Sequence, residues 1–265
     1  MTFVSGIRLF ERDPDLLHLI AEGERPRAAY ATVVPALRVG PGAFDPRQLG
    51  SPRWGALILD GLMAREVEVA STAAAELLGT GDLISRTEQG RDEIVVTRAR
   101  WTVLETVEVA LLDDRFHAVL RHWPEVAGCL IQRSERRAAR LAVAQAISHL
   151  NRIDTRVHVM LWTLAGRWGR VTPEGIAVPL RLTHRTISRL VGARRPSVTT
   201  AITALSERGL VARREDGSWM LQGPPPEELE RVGVDRILAR PAPHLPTVGD
   251  GVAPPVHQGE RVASR

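Results

Sequence analysis

The 265 residues include no lysine, so all 35 basic side chains are arginine, and they exceed the 31 acids by four. An apolar fraction of 44% and a charged fraction of 25% describe an ordinary folded chain, long enough for one large domain or two small ones with a sizeable core. A single cysteine, Cys129, excludes an internal disulfide and any cluster held by several thiolates, and the absence of a span-length apolar run or a leader-like start predicts a cytoplasmic chain with no membrane partner.

DPDLLHLIAEGE predicts a short helix with Asp13 as N-cap and Pro14 at the first helical position. YATVVPALRV then predicts a strand, and GPGAFDP a loop. From Trp54 to Leu112 the pattern is β-like. GALILDGLMAREVEVAS reads as apolar runs around an Asp60-Gly61 turn, with Val67 and Val69 opposed to Glu66 and Glu68. EIVVTRA and WTVLETVEVALL form a second pair rich in valine and threonine. Several short strands with turns between them predict a small antiparallel sandwich or barrel within residues 1–123. DDRFHAVLRHW predicts a short helix that closes this unit at or just before Pro124.

From 124 to 153 the helical pattern runs unbroken. Ala127, Ile131, Ser134, Ala138, Leu141, Gln145 and Ser148 follow the four-then-three spacing of a heptad seam, and its small residues permit close helix approach. Two readings fit: an amphipathic helix packed on its own domain, or a dimer interface. The length predicts the second, because such a helix outspans one small domain. Asp154 to Trp168 predicts a further helix, with Asp154 as N-cap and Gly169 near its end.

LTHRTISRLVGARRPSVTTAITALSERGLV carries the sharpest signal. Leu182, Ile187, Leu190 and Val191 make one apolar helical face, and Val198, Ile202 and Leu205 a second. Gly192 between them tolerates positive φ. Two short helices around a glycine-containing turn are a helix-turn-helix, and LVARREDGSWMLQG, turning at Asp216-Gly217, adds the hairpin of a winged version over residues 154–223. The head of the second helix enters the major groove in such motifs, which here offers Arg194, Arg195, Ser197, Thr199 and Thr200. Two arginines there oppose the helix dipole, and a phosphate or guanine edge reverses that balance. Arg185, Arg189, Arg213 and Arg214 are candidates for phosphate contacts. His184, beside the first helix, approaches a phosphate or faces solvent. Between Thr183 and Gln222 seven arginines meet three acids. Residues 224–265 are rich in Pro and Gly and predict a disordered tail with at most a turn or two of helix in PEELERVGVDRIL.

The order of β-rich unit, long helix and winged helix-turn-helix resembles the Crp/Fnr family of bacterial transcription regulators, from about Gly55 to Gln222. GALILDGLMAREVEVAS and ELLGTGDLIS look like that family's β-roll, with Gly79-Thr80-Gly81-Asp82 in place of its Gly-x-Gly-Asp turn. VEVALLDDRFHAVLRHWPEV looks like its last strand and following helix, and the helix-turn-helix stretch is similar to its DNA-binding signature. The resemblance implies an α+β fold: an amino-terminal antiparallel β-roll, a long dimerisation helix and a carboxy-terminal winged helix-turn-helix. It places Arg195 where the family's principal guanine-reading arginine sits. Pro196 and Thr200 replace a glutamate and an arginine common there, so the expected operator differs from the family's best-known one. Cyclic-nucleotide binders of the family carry a Gly-Glu pair and an Arg-Ser or Arg-Thr pair. LISRTEQGRDEIVVTRARW has no Gly-Glu, and Val96-Thr97 stands where the arginine pair belongs. Arg98 is two residues away, so cyclic nucleotides are not expected in the usual manner, and no cofactor is implied.

The histidines are scattered without metal-site spacing, and no nucleophile–base motif appears. The sequence therefore predicts a non-enzymatic, homodimeric regulator of transcription that binds double-stranded DNA, with RNA polymerase as a further partner. The competing class is an interaction scaffold whose winged helix binds protein.

Overall fold

The computed structural model describes residues 2–50, 52–84 and 97–230. Strand β1 (Thr2–Arg8) pairs with β2 (Val33–Val39), and three short helices lie between them: α1 (Leu9–Arg12), α2 (Pro14–His18) and α3 (Arg25–Ala31). Asp13 occupies the N-cap of α2 as its sequence predicts, but its carboxylate makes no bond to the helix; Arg133 takes it instead. The expected loop at GPGAFDP contains a short strand, β3 (Gly42–Phe44).

β4 (Ala56–Val69) runs straight through Asp60-Gly61, where the sequence predicts a turn. The register against β7 shifts on either side of Asp60, which marks a bulge rather than a reversal. Gly61 has φ +91, and a Cβ there would lie 2.2 Å from the Thr106 carbonyl oxygen. The glycine thus permits a close backbone crossing inside one strand. β5 (Thr72–Gly79), β6 (Leu83–Ile84) and β7 (Thr97–Leu111) complete an antiparallel sheet in the order β1-β2-β7-β4-β5, with β3 also on β7 and β6 on β4. The two runs expected as separate strands before Leu112 merge into β7 from Thr97 on; residues 85–96 lie outside the described residues. The alternation in Arg65–Val69 buries neither valine, because this end of β4 projects beyond the core.

α4 (Asp114–His122) starts where Asp113 accepts from the backbone N–H groups of Arg115 and Phe116. α5 (Glu125–Ser148) ends five residues before Ile153, the end that its pattern predicts. His149 and Leu150 donate to Ala146 and Ile147, tightening the last turn so that the chain reverses into α6 (Ile153–Trp168). Arg152, not Asp154, is the N-cap of α6; Asp154 sits in the first turn, where acid also favours the helix dipole. α6 is buried nearly all round from Val157 to Ala165 and forms the floor of the carboxy-terminal unit.

β8 (Arg170–Thr172) and β9 (Gly175–Val178) form a hairpin with no counterpart in the predicted elements. Then come α7 (His184–Leu190), α8 (Arg195–Glu207), β10 (Val211–Arg213) and β11 (Trp219–Leu221). The second sheet has the order β10-β11-β9-β8, so the expected wing hairpin is half of a larger sheet. One helical turn, α9 (Glu227–Glu230), falls in the expected tail; residues 231–265 lie outside the described residues. Among the described residues no helix is long and apolar enough to cross a membrane.

The two units share a core. Leu62, Ala64 and Leu77 of the β-rich unit cluster with Leu161, Ile187 and Val198 of the helical one. Charge pairs reinforce the junction along α5. Arg133 holds Asp13, Arg137 holds Glu76 and Arg140 holds Asp82, a spacing of four and three that keeps all three guanidiniums on one helix face. α6 contributes Arg167, 2.7 Å from Asp82.

Candidate nucleic-acid interface

Thr183 opens α7: its side-chain oxygen accepts from the Thr186 N–H at 3.1 Å. Ile187, Leu190 and Val191 face the core, as the periodicity predicts. Gly192, with φ +62, ends the helix, and Ala193 N–H closes on Ser188 O at 2.9 Å. Arg194 is the N-cap of α8 without a side-chain capping bond, Pro196 occupies the second helical position, and no acid stands in the first turn. The head of α8 therefore has free backbone donors and a positive dipole end with no internal anion to satisfy them. Val198, Ala201, Ile202 and Leu205 anchor the opposite face.

The wing packs beside this head. Arg214 N–H donates to Ser218 O and Gly217 N–H to Arg214 O, closing the expected turn, while Asp216 accepts from Ser218. Trp219 is fully buried beneath it, with the Arg213 guanidinium 5.8 Å from its ring centroid. Between α7, α8 and the wing lies a cleft of about 380 Å³ lined by Thr183, His184, Arg185, Arg195 and Arg213. Its charged walls are all basic. Burial, then Arg213 and Arg195, lower the His184 pKa.

Arg185, Arg194, Arg195, Thr199, Thr200, Arg213 and Arg214 are exposed on this side of the unit, and Ser197 is half-buried. Arg189 is the exception among the phosphate candidates. Its guanidinium pairs with Glu66 at the end of β4 and is four-fifths buried, so it belongs to the junction in this arrangement. A helical wheel places it on a solvent face; the β4–β5 hairpin that covers it comes from more than a hundred residues away.

Seam positions Ala127 and Ser148 are half-buried, and Ile131, Ser134, Ala138, Leu141 and Gln145 are exposed on the side of α5 away from the arginine clamps. Ile131 at 58% and Leu141 at 41% exposure are large for unpartnered apolar side chains.

In the β-rich unit, Gly79-Thr80-Gly81-Asp82 forms the turn after β5. Asp82 is 4% exposed and serves as an anchor: it accepts from Gly79 N–H, Arg167 and Arg140. Val96 and most of LISRTEQGRDEIVVT fall outside the described residues. Arg98 is exposed at the start of β7 and lines a cleft of about 300 Å³ with Glu66, Glu68, Arg100 and Arg189, at the junction with α7. Among the described residues no group of three His, Cys, Asp or Glu could hold a metal ion. Cys129 is half-buried beside Arg133.

Two features of the site lie beyond sequence reasoning. The arginine clamps are visible in the sequence as the spacing of Arg133, Arg137 and Arg140, but their acids are not. His184 has no sequence signal that fixes its neighbours, and its ring is held between α8 and the wing.

Residues 155–232 match the family model of the Crp-like helix-turn-helix domain. The fold is similar to that of a cyclic nucleotide-binding domain containing protein from Listeria monocytogenes EGD-e, with TM-score 0.58 and 15% identity over 79% of this chain and 97% of that one. A CooA mutant from Carboxydothermus hydrogenoformans gives TM-score 0.55 and 13% identity over 86% and 95%. FixK2 from Bradyrhizobium japonicum gives 0.52 and 13% over 80% and 100%. No curated protein matches the sequence.

Proposed function

We propose, from the premise that this chain is a DNA-binding transcription regulator with a Crp-like helix-turn-helix domain, that it reads duplex DNA as a homodimer through the head of α8. The observation that carries this reading is the acid-free head of α8, flanked by Arg185, Arg195 and Arg213 around one cleft. Arg195, at the first helical position and exposed, reads a base edge, most simply guanine O6 and N7. Arg194, Ser197, Thr199 and Thr200 supply the rest of the groove contacts. Arg185, Arg213 and Arg214 hold phosphates and set the register. Arg189 joins them only if its pair with Glu66 opens.

Dimerisation through Ile131, Ala138 and Leu141 would place two such heads in successive major grooves, with half-sites about 34–36 Å apart. The β-rich unit holds α5 through its arginine clamps and so orients the dimer. The chain works in the cytoplasm as a non-enzymatic regulator, and RNA polymerase is its further partner.

Selection of duplexes from a random library by the full chain, followed by titration at several salt concentrations, tests the reading. The expected result is a two-fold-related sequence bound with steeply salt-dependent affinity. Binding that ignores both sequence and salt would overturn it.

A further inference from the structure

His184 stands among guanidiniums yet is fixed by a neutral partner. Its Nδ1 lies 3.0 Å from Thr199 Oγ1, and that hydroxyl donates its one proton to the Arg195 carbonyl oxygen at 3.1 Å. With its proton directed to that carbonyl the hydroxyl can only accept, and in this arrangement Nδ1 carries the ring hydrogen and donates. Nε2 of the neutral ring is then a bare lone pair.

The groups that face the ring come from four elements. Arg185 is on α7 itself, Arg195 and Thr199 are on α8, Arg213 is on β10, and the Trp219 ring on β11 lies 6.2 Å away. Asp216 on the wing is turned to Ser218. Burial first, then Arg213 and Arg195, hold the imidazole below its ordinary range, so the free protein carries it neutral at pH 7.

A phosphate oxygen can only accept a hydrogen bond, and a bare Nε2 offers it none. The same phosphate offsets the field of Arg195 and Arg213 that disfavours a charged ring. Both effects favour imidazolium, with Nδ1 still on Thr199 and Nε2–H on the phosphate. We propose that His184 is a proton-coupled phosphate contact, so that this ring takes up proton as a duplex phosphate enters the cleft; this rests on the DNA-binding reading above.

The ring binds its proton more tightly in the complex than in the free protein. Duplex affinity therefore rises as pH falls through the window between the two, and levels off below the free-state value. A tenfold tightening of the ring's proton affinity on binding gives at most about a tenfold gain in duplex affinity per protomer.

The test uses the full chain, a selected duplex, and anisotropy titrations from about pH 7.5 to about pH 6 at fixed salt, around the ordinary range of histidine. Wild type should bind about three- to tenfold tighter per protomer at the acid end. His184→Gln, which keeps a neutral donor but cannot titrate, should give a flat profile over the same range. Calorimetry in two buffers of different ionisation enthalpy, at a pH inside that window, should read about half a proton taken up per protomer, and none for His184→Gln. A flat wild-type profile with intact duplex binding would overturn this inference alone, as would a pH slope that survives in His184→Gln. Absence of duplex binding at every pH and salt would remove the DNA-binding reading and this inference with it.

Discussion

Asp82→Asn isolates the anchor that joins the β-rich unit to α5 and α6. Asp82 is 4% exposed and accepts from the Gly79 N–H at 3.0 Å, from Arg167 at 2.7 Å and from Arg140. Asparagine keeps the volume and one acceptor oxygen, but turns an NH₂ group toward a guanidinium and leaves two arginines without their anion. Removing one partner of a buried pair costs about 3–5 kcal/mol. Arg140 is 39% exposed, so its share is screened toward the surface value of about 0–1 kcal/mol, whereas Arg167 at 19% is not. The low end, about 3 kcal/mol, is therefore expected. For a unit of this size each kcal/mol moves the midpoint by about 2–4 °C, so thermal unfolding followed by circular dichroism should show a drop of about 6–12 °C. Arg140→Ala should cost about 1 kcal/mol, by the same screening argument. A drop in Asp82→Asn below about 2 °C, or equal losses in the two variants, would refute the burial argument.

Arg195→Ala should cost about 1–3 kcal/mol on a selected duplex and relax preference at one base pair per half-site, read by competition titrations. Arg213→Ala should weaken all duplexes alike and reduce the salt slope by about one; equal loss on selected and scrambled duplexes in Arg195→Ala would make that arginine a phosphate clamp. Leu141→Asp should convert dimer to monomer in light scattering at micromolar concentration with unchanged circular dichroism, since Leu141 is already 41% exposed; a wild type that is monomeric with and without duplex rejects the α5 interface. His158 is buried, accepts from Trp162 Nε1–H at 3.0 Å, and has its pKa lowered by burial and then by Arg208. The unfolded chain thus binds the proton more tightly than the folded one, and stability should fall as pH drops below about 6.5 toward the depressed folded value. His158→Gln should flatten that part of the denaturation profile.

The helix-turn-helix was legible because local rules fix it. The faces of Ile187, Leu190, Val198 and Ile202 recur at helical spacing, and Gly192 supplies the one backbone conformation that the turn needs. The hairpin of β8 and β9 was not legible, since strands of three and four residues owe their existence to pairing with β11, some forty residues on. Asp60-Gly61 misled for a related reason. An Asp-Gly pair between apolar runs is a hairpin signal, yet here Gly61 accommodates the Thr106 carbonyl on the neighbouring strand, a long-range contact. The end of α5 was misjudged because Leu150 and Ile153 continue the apolar pattern while the chain turns beneath them. In the site, Arg194, Arg195, Ser197, Thr199 and Thr200 could be placed together on one helix head from local rules, whereas the pairing of Arg189 with Glu66 was not legible because nothing near it in sequence names that acid.

Arginine is the only base besides histidine in this chain, so charge alone cannot say which arginines build the fold and which read DNA. The opposing acid can. Arg133, Arg137, Arg140 and Arg167 each face a carboxylate brought from elsewhere in the chain, and their side chains are mostly buried against it. An arginine in that state already has its anion, and moving it to a phosphate would leave a buried acid alone. Arg185, Arg194, Arg195 and Arg213 are exposed and have no ion pair among the described residues. Their guanidiniums are therefore open to the bidentate contact that the proposed phosphate and guanine partners would offer. Arg189 lies between the classes: it sits on the first helix of the DNA-binding motif, yet Glu66 holds it. If the proposed phosphate role holds, a duplex phosphate and Glu66 would compete for the same guanidinium, and the outcome would decide whether the β4–β5 hairpin stays on α7. Glu66→Gln weakens one competitor without touching the reading head. It should therefore tighten duplex binding and add about one to the salt slope, whereas an unchanged slope would assign Arg189 to the junction permanently.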